Sequence, residues 1–362
     1  MRWREILRKQ HLRSLLTIAC TLLVAEVAVR RTGILSTYSE RNFGVYRSVL
    51  GSTKPTWFLT RPPSTSFVYE TADFAVPMEI NRDGVRDVEH ALKPSAGLPR
   101  IVVLGDSYTE GVGVEFDHSW PQLLGRRLRE AGRPVEILQA GVSGSDPFFE
   151  YRLLEQRLVR YSPRLVLFLI NDTDICDTLW WGGLERFRTD GTTHARPAPW
   201  FEPLYRWSHL VRLAVHTRYD WRMMPYSRTQ RLDGEAQGKL VRLFTRARSF
   251  GRESGFDLWV GVHPTPDDVL GRKRPFSPAF FHALEESGVP YGDLGPGMEQ
   301  AFAGLERGDF SWEIDRHYNA RGYAALAELV LGALEESGLL EGLAAGTPPA
   351  GSIRVTPPDP GG

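Results

Sequence analysis

The chain has 362 residues, 42% of them hydrophobic, with 44 basic and 44 acidic side chains. That length and apolar content suit one large core with appendages, and 10 Trp exclude a disordered chain. A formal net charge of +0 gives a nucleic-acid partner no electrostatic support.

Arg2, Arg4, Arg8, Lys9 and Arg13 precede an apolar run from Leu15 to Val29, which Glu26 interrupts and Arg30 and Arg31 end. The run is short for a span of about 20 residues. Leu12, Ile34 and Leu35, with snorkelling arginines, extend it. Charge followed by an apolar run fits a signal peptide or a signal anchor, and the want of a clear small-x-small cleavage site favours an uncleaved anchor. The leading basic residues favour a cytoplasmic N-terminus, with the rest of the chain outside the inner membrane. The alternative is a buried amphipathic helix of a soluble protein. A lipoprotein reading through Cys20 is weaker, since Thr17 stands where a lipobox wants an aliphatic residue. Cys176 is the only other cysteine, which leaves the folded part without an internal disulfide, and no Cys/His cluster suggests a structural metal.

Residues 37–95 read as a membrane-proximal, β-rich region. Phe67-Val68-Tyr69 and the stretch from Phe74 to Ile80 form short strands, and Asn81-Arg82-Asp83-Gly84 is a turn signal. The chain then changes character. Apolar, β-rich runs at Ile101–Leu104, Val135–Leu138, Leu165–Ile170, Leu258–Val262 and a weaker Val289–Leu294 alternate with helical patterns near 119–131, 148–160, 235–254 and 277–287. A last helix, about 319–336, carries Tyr323, Leu326, Leu329, Val330 and Leu334 at helical spacing. This alternation predicts an α/β fold: a three-layer sandwich around a five-stranded parallel, flavodoxin-like sheet, with its active site at the carboxyl ends of the strands. The organisation is then an N-terminal tail and anchor over 1–36, the β-rich region over 37–95, and a catalytic domain over 96–340 with an insertion at about 178–231. A Gly- and Pro-rich tail over 341–362 reads as disordered.

The first strand runs into Gly105-Asp106-Ser107, placing a serine where a strand-to-helix turn exposes its hydroxyl. Gly105-Asp106-Ser107-Tyr108-Thr109 lacks the second glycine of an α/β-hydrolase nucleophile elbow, which disfavours that class. The second strand leads to Gln139-Ala140-Gly141, and the third ends at Asn171-Asp172. Taken singly, these read as a flexible turn and a helix cap. Together, Ser, Gly and Asn at successive strand ends are the types needed for a nucleophile, a backbone donor and a side-chain donor. Ile314-Asp315-Arg316-His317 precedes the last helix; neutral imidazole is a suitable base at neutral pH, and a nearby carboxylate would orient it.

These four segments, in this order over about residues 96–338, resemble the SGNH (GDSL) hydrolase superfamily. The resemblance implies Ser107 as nucleophile, His317 as base, and Ser107, Gly141 and Asn171 as oxyanion donors, with no metal or organic cofactor. Asn81-Arg82-Asp83-Gly84-Val85-Arg86, together with the anchor, is similar to bacterial members tied to the cell envelope. Two positions depart from the family pattern. Leu169 stands where the third block has glycine, and Ile314 stands where the last block has aspartate, with Asp315 two residues before His317 as the candidate orienter.

The insertion holds Trp180, Trp181, Trp200, Trp207 and Trp221. Trp180 and Trp181, closest to the Asn171 strand end, are candidate substrate contacts in a sugar platform or membrane-facing lid; the bland alternative is a small hydrophobic subdomain. His263, also at a strand end, is a weaker rival for the base. The resemblance and the anchor imply a serine esterase acting on acyl, chiefly acetyl, esters of envelope or exported polysaccharide. A polysaccharide O-acetyltransferase using the same residues, a catalytically silent polysaccharide-assembly protein, and lipase or thioesterase activity remain open. Oligomeric state has no signature in the sequence.

Overall fold

The computed structural model describes residues 2–32, 59–95, 97–187, 204, 208–218 and 230–344. Trp200, Trp207 and Trp221 of the insertion and residues 345–362 of the Gly/Pro-rich tail fall outside these residues; residues 341–344, expected to be disordered with that tail, instead belong to a short helix, Leu339–Ala344. Two compact units are present, one from Met1–Pro55 and His194–Gln230, the other from Thr56–Thr193 and Arg231–Gly362.

In the first unit, α1 (Arg2–Thr32) is one continuous helix. Its segment Gln10–Thr32, 23 residues, is long and apolar enough to cross a membrane. At 1.5 Å per residue that segment measures roughly 35 Å, against a hydrocarbon core of about 30 Å. The polar interruption at Glu26 has a local partner. Its carboxylate accepts the N–H groups of His209 (2.7 Å) and Leu210 (3.0 Å) and the hydroxyl of Ser208 (2.7 Å). It therefore satisfies orphan donors at the start of the insertion helix His209–Arg218.

The second unit opens with an antiparallel hairpin, β1 (Thr65–Glu70) and β2 (Ala75–Ile80). Strand β2 alternates exposed and buried residues, so Val76, Met78 and Ile80 face inward. The main sheet comprises β3 (Arg100–Gly105), β4 (Glu136–Gly141), β5 (Leu165–Ile170), β6 (Asp257–Val262) and β7 (Tyr291–Asp293), in the order β4-β3-β5-β6-β7. All four pairings are parallel. The unbroken apolar runs of β3 and β5 follow from this, because every residue of both strands is buried. On one face Ile101, Val103, Leu165 and Leu167 pack with helices Trp120–Glu130 and Ala320–Glu336 through Trp120, Leu124, Leu326 and Val330. On the other, Phe168 meets Phe244 of helix Gln230–Ser254 at 5.5 Å. The result is the three-layer α/β/α sandwich with a five-stranded parallel sheet that the alternating pattern implies.

Candidate active site

Strand β3 delivers Asp106 and Ser107 to a short helix, α2 (Ser107–Glu110). Asp106 caps it, accepting the Tyr108 N–H at 2.9 Å. The turn is tight enough to require glycines. A Cβ on Gly105 would stand 2.2 Å from Thr109 Oγ1, and one on Gly141 would stand 2.2 Å from the Glu110 nitrogen. Gly141 thus lets the end of β4 run directly against the helix that begins at Ser107. Between buried Asp106 and Tyr108, Ser107 alone is part-exposed.

The Ser107 hydroxyl lies 2.7 Å from His317 Nε2, and His317 Nδ1 lies 2.5 Å from Asp315 Oδ1. His317 and Asp315 keep 21% and 14% of their side-chain surface, so the chain of three groups sits at an open surface. The spacing of two residues is accommodated by Arg316, whose φ of +72° is in the left-handed region. The loop is closed by the Trp312 N–H donating to the His317 carbonyl (2.9 Å) and by an isolated bridge between Ser311 and Tyr318. Tyr108 lies against the imidazole at 4.9 Å between ring centroids. Burial pushes the Tyr108, Tyr318 and Tyr323 phenols well above their ordinary range, so all three remain neutral. Tyr318 donates to the Pro264 carbonyl and Tyr323 to that of Val112.

Asn171 is fully buried. Its Oδ1 accepts the Thr173 N–H at 2.9 Å, capping helix Asp172–Trp181, and its Nδ2 donates to Asp106 Oδ2 at 2.9 Å. The same Nδ2 faces His263 Nε2 across a long 3.4 Å. His263 is itself buried, bonded through Nδ1 to the Pro264 carbonyl, and pushed down to about 4 by burial, against the opposing pull of Asp106 and that carbonyl. It backs the site through Asn171; the imidazole beside Ser107 is His317. The departure at Leu169 has a steric counterpart. Leu169 pairs with Gly261 on β6, where a Cβ would come 2.8 Å from Leu169 Cδ1. The glycine stands on the neighbouring strand, making room for the larger side chain.

Gly141 ends β4 beside Gly105 in register. The Val142 N–H donates to the Gly105 carbonyl (3.0 Å), whereas the Gln139 N–H donates to Asp87 (2.8 Å). Alternation along a strand turns the Gly141 N–H to the Gln139 side, away from β3. Trp180 and Trp181 end the helix that starts after Asn171; Trp181 is part-exposed, and the Trp180 side chain lies outside the described residues.

Several interactions that shape the site join residues far apart in sequence. Glu110 is fully buried, takes a bidentate pair from Arg61 (2.8 Å to each oxygen), and accepts both the hydroxyl and the N–H of Ser143, just beyond Gly141. Arg86 is 1% exposed and donates to the carbonyls of Glu110, Gly111, Val114 and Pro77 at 2.7–3.2 Å. The Asn81–Asp87 stretch, read in the sequence as a turn and as a likeness to envelope-tied members, is therefore a polar brace for the segment after Ser107. Behind the site, burial, reinforced by their negative neighbours, holds the Glu150, Asp174 and Asp177 carboxyls well above the usual carboxylate range. Among the described residues no group of three or more His, Cys, Asp or Glu side chains is placed to hold a metal ion.

Comparison with known proteins matches residues 103–325 to the model of the GDSL-like lipase/acylhydrolase family. An arylesterase of Vibrio mimicus is 33% identical over 80 residues, which is 22% of this chain and 40% of that protein. Among solved structures, an alpha/beta hydrolase enzyme from the metagenome of Lake Arreo, Spain, aligns at TM-score 0.43 and 16% identity, covering 68% of this chain and 98% of its own. Axe2, an acetylxylan esterase from Geobacillus stearothermophilus, aligns at TM-score 0.40 and 12% identity, covering 66% and 94%. With the family match spanning well over half of its length, the chain belongs to the GDSL-like lipase/acylhydrolase family.

Proposed function

We propose that this chain is a membrane-anchored serine esterase that removes acyl groups, acetyl foremost, from envelope or exported polysaccharide. The observation that carries the mechanism is the 2.7 Å approach of His317 Nε2 to a part-exposed Ser107 hydroxyl. His317 takes the Ser107 proton as Oγ attacks the ester carbonyl. Asp315 orients the imidazole and stabilises its protonated form. The oxyanion is met by the Ser107 N–H and by Asn171 Nδ2; the Gly141 N–H is turned away from β3, and Gly141 serves the site by letting β4 lie against the helix that begins at Ser107. One Nδ2 hydrogen is held by Asp106; the other faces His263 Nε2 across a long 3.4 Å and is the one available to an oxyanion. Each such donor is worth about 10²–10³ in rate. Collapse of the tetrahedral intermediate expels the alcohol, which receives the proton from His317. Water, deprotonated by the same imidazole, then releases the acid from the acyl-serine.

The Gln10–Thr32 span, with basic residues before it, supports an inner-membrane anchor that leaves the catalytic unit outside the cytoplasm. The test is an assay of the purified protein with p-nitrophenyl acetate, with and without oligosaccharide acceptors. Release of acetate without sugar acetylation is expected. Acetylated sugar in place of acetate would contradict hydrolysis and make a sugar hydroxyl the acceptor.

A further inference from the structure

We propose that Asp73, in the loop between β1 and β2, is a positioning residue for the Asp315–His317 pair. This rests on the reading of His317 as base and Asp315 as its orienter.

The loop carrying Asp315 makes an unusual demand on the backbone. To bring a carboxylate onto the imidazole only two residues further on, the chain turns through Arg316 at φ +72°. For a side chain larger than glycine this conformation costs on the order of 1 kcal/mol or more, so it persists only where its surroundings hold it. The loop's own residues offer little hold, since Glu313, Ile314 and Arg316 are exposed, Ile314 to 69%. Its closure comes from two backbone bonds, the Trp312 N–H to the His317 carbonyl (2.9 Å) and the Arg316 N–H to the Trp312 carbonyl (3.2 Å), and, at the Arg316 side chain, from an ion pair with Asp267 at 3.1 Å. None of these meets the backbone N–H of Asp315 itself.

Asp73 does touch it. One oxygen, Oδ2, accepts the N–H groups of both Ile314 (2.8 Å) and Asp315 (2.7 Å). Two adjacent N–H groups aimed at one carboxylate oxygen form a charge-assisted clamp. The clamp fixes the Asp315 backbone, which in turn aims its carboxylate at Nδ1. Asp73 is itself held in place. Thr71 Oγ1 accepts the N–H groups of Asp73 (3.1 Å) and Phe74 (3.3 Å), and the Thr71 N–H closes the loop on the Phe74 carbonyl (2.8 Å). Phe74, 8% exposed, packs on Trp312 at 5.5 Å between centroids, and the Trp312 indole donates to the Gly113 carbonyl at 3.1 Å. The hairpin thus grips the His317 loop on both sides of Glu313. It supplies from outside the loop what the shortened Asp-x-His spacing lacks within it.

The test compares Asp73→Ala, Asp73→Asn and Asp73→Glu in the full chain, with kcat, KM and thermal midpoint measured for each. Asp73→Ala should lower kcat by about 10²-fold with KM changed less than about threefold, the scale expected when a reacting group is misplaced by about 1 Å. Asp73→Asn keeps an oxygen acceptor in the same place and should stay within about fivefold of the parent. Asp73→Glu keeps the charge but displaces it, and should fall with alanine; the Asn–Glu pair decides the matter even if alanine fails to fold. In an Asp315→Ala background, Asp73→Ala should add less than about twofold, because both act through one interaction. A parental kcat in Asp73→Ala, an Asn variant as slow as Glu, or losses that multiply fully with Asp315→Ala would overturn the proposal. Full activity in Ser107→Ala or Asp315→Ala would instead remove the catalytic reading itself, and the proposal with it.

Discussion

Replacing Asp315 by Asn isolates the part of the site at which the sequence departs from its family. The exchange is nearly isosteric. At 2.5 Å from His317 Nδ1, the Asp315 carboxylate accepts the Nδ1 proton and so presents a bare Nε2 to the Ser107 hydroxyl. An amide in the same place can offer its NH2 group to Nδ1, which moves the ring proton to Nε2 and blocks it as a base. Loss of the correct tautomer in serine proteases costs up to about 10⁴ in kcat, or roughly 5 kcal/mol of transition-state stabilisation. The site is open, with 14% of the Asp315 side chain exposed, so water can replace part of the lost interaction and the measured loss should lie at or below that ceiling. Steady-state kinetics on p-nitrophenyl acetate, with KM read separately, measure it. His317→Ala should be at least as damaging. An Asp315→Asn rate within about tenfold of the parent would refute the orienting role.

Three further outcomes follow. Gly141→Ala places a methyl group 2.2 Å from the Glu110 nitrogen and 2.3 Å from the Thr109 carbonyl carbon, so the helix that begins at Ser107 must shift; kcat should fall by about 10², the scale of a reacting group misplaced by about 1 Å, and an unchanged rate would contradict the packing. His263 is buried with its titration lowered from 6.5 to about 4, so the fold binds its proton less readily than the unfolded chain. The stability this gives is complete above about pH 6.5 and falls progressively toward pH 4, by on the order of 3 kcal/mol at most. His263→Gln should flatten the thermal midpoint between pH 7 and 4.5, and an unchanged slope would exclude His263 as its source. Glu26→Ala should leave the chain in the membrane fraction while making helix His209–Arg218 more susceptible to limited proteolysis, since its N-terminal cap is gone. Recovery of the parent protein in the cytosolic fraction would end the anchor reading.

The main sheet was legible because β3 and β5 are buried on both faces, and unbroken apolar runs such as Leu165–Ile170 have few other uses in a chain of this length. The strand ends at which Ser107, Gly141 and Asn171 stand were legible for a related reason: each closes such a run. Helix Asp172–Trp181 was harder to see. Its first turn is polar, and its start is marked only by the Asn171–Asp174 capping box. Asp73, Arg86 and Glu110 carried no readable role, because their partners lie far along the chain. Asp73 meets Ile314 and Asp315 across some 240 positions, and Glu110 meets Arg61 and Ser143 across 49 and 33. A charged residue in a polar stretch looks the same whether solvated or buried against backbone donors. Only the folded arrangement separates Arg86, at 1% exposure, from Arg82, which pairs with Glu89 at the surface.

The most direct test of the nucleophile is covalent. Purified full-length protein is treated with a serine-reactive fluorophosphonate, and the modified peptide is located by mass spectrometry. Label on Ser107 alone is expected, with Ser107→Ala abolishing both the label and ester cleavage, the latter by about 10⁶ in kcat, without a change in thermal midpoint. Label on Ser143 or Ser145, or ester cleavage that survives Ser107→Ala, would contradict the assignment.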